Sequence, residues 1–277
     1  MRRIVAYLAG FLLLAGVVMA GCDAAGSAPG CEIAVTNSYL ECAVRDLWGE
    51  EAAILCLAPP GMCPGHFDIS PAQVRQLKGC RLLLRFDFQR GIEQRLGRMR
   101  QGGLDIQPVQ APGGLCVPDS YLSVCREICR ILSQVYPERS GLFEARLSVV
   151  QERLTKLAAQ LRDSVMESGV ATAAVLTSHH QAEFARWLGL DLVSTFVGSD
   201  TETVANIDHC LKKAAGREVR FVIANRQEGT ALAEALAERL QARAVVFSNF
   251  PQRCEGRTGF DQLLQDNVRL LCRAVAQ

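Results

Sequence analysis

Along residues 31–137, short apolar runs alternate with stretches whose apolar positions recur every three or four residues. The runs at 32–36, 53–57, 81–86 and 105–109 predict strands, and the stretches at 40–48, 71–78, 89–99 and 119–135 predict helices. This β/α alternation is the kind that builds a mainly parallel sheet covered by helices. Ser70, Pro71 and Gln73 mark one helix start: the Ser hydroxyl can cap, Pro suits the first turn, and the Gln side chain can complete a capping box. Phe143, Leu147, Val150, Leu154, Leu157, Leu161 and Val165 then step by three or four through 142–166. At about 1.5 Å per residue this single helix spans roughly 37 Å, longer than a crossover requires, and it reads as a strut. After Gly169 the alternation resumes, with strands at 173–177, 192–197, 220–224 and 244–248. The matching helices fall at 180–188, 201–214, 230–241 and 260–276, and the second of these has a possible capping box at 199–202.

The fold class is therefore α/β. Two β/α lobes, 31–137 and 169–277, each carry a mainly parallel four-stranded sheet and are joined only through the long helix within 138–168. A ligand cleft is expected between the lobes, where loops at the carboxyl ends of parallel strands converge.

With 277 residues, 49% of them apolar, the chain can build a sizeable core, which excludes disorder. The formal net charge is +1, and removing residues 1–21 takes away two Arg and no acid, so no polyanion-binding field follows and no nucleic-acid partner is expected. There is no GxSxG elbow, Walker loop, GxGxxG after a strand or HExxH, so an enzyme is not expected. Twelve Cys is a high number. Setting Cys22 aside leaves eleven, at spacings that match no compact disulfide scaffold and include no CxxC. Most are read as small buried hydrophobes, with one to three bridges.

The N-terminus has Arg2 and Arg3, an apolar stretch over 4–18, and Met19-Ala20-Gly21-Cys22. This is the layout of a secretory signal over 1–21, and the small residues before Cys22 resemble a bacterial lipobox. The resemblance implies cleavage before Cys22, lipidation of that residue, and a flexible tether over 22–30 that holds the protein outside the cytoplasm against a membrane. The alternative is an uncleaved single-span anchor.

The segment from Leu57 to Pro71, containing Cys63-Pro-Gly-His66-Phe-Asp, resembles the zinc/manganese-binding family of ABC-transporter solute-binding proteins, as do the apolar Leu82-Leu83-Leu84 that follow it. The similarity continues through Thr177-Ser-His179-His180-Gln-Ala-Glu-Phe184 to Gly189-Leu190, then Val222-Ile-Ala-Asn225-Arg-Gln227-Glu228, and Ala244 to Asn249. The long central helix is also a feature of that family, so the likeness covers roughly 31–277. It implies that His66 and His179 are metal ligands from opposite lobes, with His180 replacing His179 if the loop register differs by one. The departures are equally specific. Gly113 stands where the family's second His would fall, Asn225 stands where many members have Glu or Asp, and Ser248-Asn249 stands where a final Asp would lie.

Neutral imidazole suits zinc and its neighbours. Cys63, three residues before His66, and Cys116, near the vacant second-ligand loop, are further candidate donors of a softer kind, although a buried thiol is the commoner role for either. Asn225, Glu228 and Asn249 are candidates to line the site. A loop His more commonly hydrogen-bonds backbone, and His209 on a polar helix reads as a solvated surface residue. The resemblance implies a monomeric, extracytoplasmic lipoprotein that captures zinc, or next manganese, as cargo and delivers it to an ABC permease. The alternative is a binding-fold lipoprotein that has lost metal and serves another ligand or a structural role.

Overall fold

The computed structural model describes residues 31–58, 62, 68–96, 102–198, 203–252 and 259–275. The signal, the tether and Cys22 lie outside the described residues, as do Cys63, His66, Cys254 and the capping box at 199–202.

The first lobe runs β1 (Ile33–Val35), α1 (Ser38–Trp48), β2 (Ile54–Cys56), α2 (Pro71–Leu77), β3 (Leu82–Phe86), α3 (Arg90–Arg95), β4 (Asp105–Val109) and α4 (Pro118–Val135). The long helix α5 (Ser140–Glu167) follows. The second lobe runs β5 (Ala174–Ser178), α6 (Ala182–Trp187), β6 (Asp191–Phe196), α7 (Val204–Ala214), β7 (Val219–Asn225), α8 (Ala231–Leu240), β8 (Arg243–Phe247) and α9 (Gly259–Arg273). Every strand pair is parallel, and the two sheets share one topology, β2-β1-β3-β4 and β6-β5-β7-β8.

Local chemistry explains the elements. Asn37 caps α1, its side-chain oxygen accepting from the backbone N–H of Tyr39 and Leu40. Ser70 and Gln73 form the full capping box at α2. Pro108 is tolerated in β4 because that strand lies on the sheet edge, where a missing donor costs no ladder bond. The second-lobe helix predicted to open at 201 is α7, which starts at Val204, where the Thr203 side chain accepts from Asn206 N. The helix predicted over 89–99 is described as α3, preceded by a tight 3-10 turn at Asp87–Gln89. Arg85, buried in β3, holds that turn by donating to the carbonyls of Phe86 at 2.8 Å and Asp87 at 3.1 Å while pairing with Glu93.

The long helix is the one covalent link between the lobes, but the lobes also touch directly. One continuous apolar core takes in residues from both sheets, α1, α4, α5 and α9. In it Phe260 of α9 stacks on Tyr121 of α4, with ring centroids 3.8 Å apart and 5° between planes, and Tyr39 of α1 meets both rings edge-on. Separate apolar clusters cover the outer faces of the two sheets. Among the described residues no helix is long and apolar enough to cross a membrane.

Cys31, Cys42, Cys80, Cys116, Cys125, Cys129 and Cys272 stand as reduced thiols in this structure. Cys125 and Cys129 share a buried helix face as their four-residue spacing requires. Burial pushes the thiols of Cys42, Cys116 and Cys125 and the hydroxyls of Tyr39 and Tyr121 well up, and Cys80 is raised to about 11. All these groups are neutral when protonated, so the folded chain keeps protons that the unfolded chain releases above about pH 9. Their contribution is complete below the unfolded pKa and is lost as pH rises through the folded values. Under reducing conditions the urea midpoint is therefore expected to be lower at pH 10 than at pH 7.5, and equal midpoints would contradict the buried-thiol assignment.

Candidate metal centre

In a sheet of order 2-1-3-4 the chain crosses over in opposite directions on either side of the first strand, which opens a crevice beyond the carboxyl ends of the first and third strands. In the first lobe this crevice is bordered by residues just after β1 and β3. Thr36 Oγ1 donates to Gln89 Oε1 at 2.7 Å, the same Gln oxygen accepts from Phe86 N at 2.9 Å, and Asn37 Nδ2 donates to Thr36 Oγ1 at 3.2 Å. All four of these residues are buried.

In the second lobe, β5 ends at Ser178 and turns at once through a 3-10 helix, His179–Gln181, and β7 ends at Asn225 and turns through a second one, Arg226–Glu228. The two turns meet. His180 Nε2 lies 3.3 Å from Glu228 Oε1, and Ser178 Oγ donates to the other oxygen of the same carboxylate. Gly198, just past β6, backs Glu228: a Cβ there would come within 2.6 Å of Glu228 Cβ, so the close approach needs glycine. Glu228 is thus held from two sides with one oxygen turned to His180. The His180 ring is mostly exposed and the Glu228 side chain is 17% exposed, which leaves the pair reachable by a small ion.

Sequence reasoning placed His179 near Asn225 and Asn249, and the structure puts Gln181 in that role. Gln181 Nε2 donates to Asn249 Oδ1 at 2.9 Å and approaches Asn225 Oδ1 at 3.5 Å, and all three residues are buried. His179 is exposed, its ring centroid 5.9 Å from that of His180. A turn of the 3-10 helix sends three consecutive side chains in different directions, which is why the sequence alone leaves the register open. Phe184 and Leu188 are buried core, and Trp187 lies under the Arg162 guanidinium.

Cys116 is 1% exposed and its one thiol hydrogen has Ser248 O at 3.2 Å and Asn249 Oδ1 at 3.5 Å as alternative acceptors, while Asn267 Nδ2 reaches its sulfur at 3.7 Å. Burial pushes this thiol up and favours its neutral, donating form. The loop around Gly113 packs directly against α6. Gly114 has φ +78°, and a Cβ there would meet Glu183 Cβ at 2.6 Å, so that position needs glycine, whereas Gly113 itself is exposed with open space where a Cβ would stand. His209 is exposed.

Two ligands bound at about 2.1 Å to one tetrahedral ion stand roughly 3.4 Å apart. The His180–Glu228 separation fits that geometry, with one nitrogen and one oxygen donor. Ser178, Gln181 and Gln227 are the site residues that sequence reasoning missed. Gln227 Nε2 donates to Ser248 Oγ at 3.0 Å and its Oε1 accepts from Asn249 N at 3.0 Å, tying the β7 and β8 ends together. The available signal was polar residues breaking the apolar pattern directly after a strand. Among the described residues no group of three or more His, Cys, Asp or Glu gathers around one point.

A comparison with curated protein sequences finds no match. Solved structures share the fold. ZnuA is matched with a TM-score of 0.69 at 16% identity, covering 88% of this chain and 98% of that one. The periplasmic zinc-binding protein TroA from Treponema pallidum is matched with a TM-score of 0.70 at 15% identity, covering 88% and 99%. The Mn-bound periplasmic metal-binding protein from Candidatus Liberibacter asiaticus is matched with a TM-score of 0.72 at 12% identity, covering 88% and 98%. The family model described as ZnuA, zinc-uptake complex component A, periplasmic, matches residues 116–274, more than half of the chain. With the parallel two-lobe fold and the long central helix already in place, that match settles the affiliation: the chain belongs to the ZnuA family of periplasmic zinc-uptake components.

Proposed function

We propose that the chain captures a transition-metal ion at the carboxyl ends of its two sheets, zinc in preference to manganese, and hands it to an ABC permease while held to the membrane as a monomer through lipid on Cys22. The observation that carries this reading is the His180–Glu228 pair, whose donors stand 3.3 Å apart at the second lobe's crevice. His66, which lies between β2 and α2 in the sequence, is the proposed donor from the first lobe, and His179 or water completes the shell. Cys63 and Cys116 are assigned no more than a minor part, Cys116 because its thiol is spent on Ser248 and Asn249.

The preference for zinc follows from the donors. Manganese favours a carboxylate-rich oxygen shell, whereas here Asn225 and Asn249 replace acidic side chains, and Glu228 stands as the carboxylate beside imidazole. Asn225 and Asn249 serve as a rigid floor whose amides are engaged with Gln181. Glu228→Gln removes the anionic donor and keeps the shape. Competition titration against a chromogenic chelator is expected to give at least about 30-fold weaker zinc binding, with any manganese binding weakened as well. Equal zinc affinity in the variant and the parent would remove Glu228 from the site.

A further inference from the structure

We infer that Cys31 and Cys80 form a disulfide that staples the start of the central strand of the first sheet. β1 and β3 pair in parallel with Ile33 opposite Leu82, Ala34 opposite Leu83 and Val35 opposite Leu84. The pairing continues backwards, since Arg81 N donates to Glu32 O at 2.8 Å, and the same register carried one step further sets Cys31 opposite Cys80. Neighbouring strands lie about 4.8 Å apart, inside the roughly 4.4–6.8 Å between Cα atoms that a disulfide accepts.

The side chains also agree. Strict alternation would send Cys31 to the face of Ile33 and Cys80 to the face of Leu82, but both chains bend, at Glu32 and at Arg81. Both cysteines consequently pack on the same outer cluster, with Ala34, Leu57, Leu77 and Leu83. Two independent bends bring two thiols to one apolar spot.

Their environments divide the chemistry between them. Cys31 is half-buried, whereas Cys80 is 6% exposed, and burial with the neighbouring Cys31 raises its thiol to about 11. Cys31 is therefore the first to react. Its thiolate attacks a disulfide oxidant of the extracytoplasmic space, a sulfur–sulfur bond of the oxidant breaks, and one oxidant thiol leaves. Cys80 then gives up its proton and attacks the Cys31 sulfur of the mixed disulfide, forming the Cys31–Cys80 bond and releasing the second oxidant thiol. The protein loses two electrons and two protons, which the oxidant carries away. Oxidation in the cell rests on the periplasmic assignment, but the test below does not.

The bond would matter because β1 is flanked by β2 and β3, and the chain before it leads to the proposed anchor. Tension or fraying at that end would peel the strand that carries Thr36 and Asn37, and the staple stops it.

The test is oxidation of the reduced, purified full chain with oxidised glutathione, followed by alkylation in denaturant, digestion without reductant and mass mapping. The expected result is one linked peptide pair holding Cys31 and Cys80, released by dithiothreitol, with Cys125 and Cys129 alkylated. Alkylation of both Cys31 and Cys80, or glutathione trapped on Cys31, would overturn the proposal. A second reading uses heat: a link closing a loop of about 50 residues is expected to raise Tm by roughly 8 °C over the reduced chain, and Cys31→Ser should lose all of that dependence on reductant. An unchanged Tm in the parent on reduction would also overturn it. Neither readout involves metal, so failure here leaves the metal reading standing, and failure of the metal reading leaves this one standing.

Discussion

Arg153→Met is expected to lower the unfolding free energy by about 3 kcal/mol and Tm by about 8 °C. Arg153 sits near the middle of α5 and clasps Asp46 of α1 with both ends of its guanidinium, at 2.9 and 2.6 Å, while its Nε stands 3.1 Å from Asp261 of α9. Tyr121 of α4 donates to the same Asp46 at 2.8 Å. Four helices from both lobes therefore converge on one guanidinium, with side-chain exposures of 25% for Arg153, 7% for Asp46 and 17% for Asp261. Burial opposes the charge on Arg153, but the hydrogen bonds and charges of Asp46 and the charge of Asp261 more than offset it, and the guanidinium is held further above its ordinary value. Removing it leaves two carboxylates facing each other in a nearly dry site, and that uncompensated charge is the source of the large effect. Met keeps most of the volume, so the loss reports charge and not a cavity. Arg153→Lys should fall between, since an ammonium cannot make the two-pronged contact. A Met variant within 1 kcal/mol of the parent by urea unfolding would show that the network holds little.

The second large effect concerns the metal. His180→Ala is expected to weaken zinc binding by at least about 100-fold, because it removes a directly bound nitrogen. Ser178→Ala, which only frees the Glu228 carboxylate to swing, should cost about 10-fold, in the range of an outer partner. His209→Ala, on an exposed helix face, should change nothing. The graded order of these losses is the diagnostic feature. A simple surface ion pair between His180 and Glu228 would produce no zinc dependence in any of them, and equal losses in His180→Ala and His209→Ala would point to nonspecific binding.

Much of the fold was legible because its signals are local. The apolar run that forms β4 has the predicted bounds, Asp105–Val109, and the three-to-four stepping of α5 extends only slightly past the expected span, to Ser140–Glu167. The Ser70 and Gln73 box was readable because both partners lie within one turn. What the sequence did not reveal depends on contacts far apart in the chain. The placing of Gln181 against Asn249 spans 68 residues, that of Ser178 against Glu228 spans 50, and that of Cys116 against Asn249 spans 133. Nothing in the pattern near His179 and His180 distinguishes two adjacent imidazoles on a tight turn. Only the packing of the β5 turn on the β7 turn selects His180 for Glu228. The direct contact between the lobes was hidden for the same reason, since Phe260 stacks on a ring well over one hundred residues earlier.

The most direct measurement is zinc K-edge X-ray absorption on the parent chain, loaded with one equivalent of zinc and then dialysed. The expected spectrum has a first shell of about four nitrogen and oxygen donors near 2.0 Å, with the multiple-scattering pattern of at least one imidazole and no sulfur near 2.3 Å. Loss of the zinc on dialysis, or a shell dominated by sulfur, would contradict a metal held by His180 and Glu228.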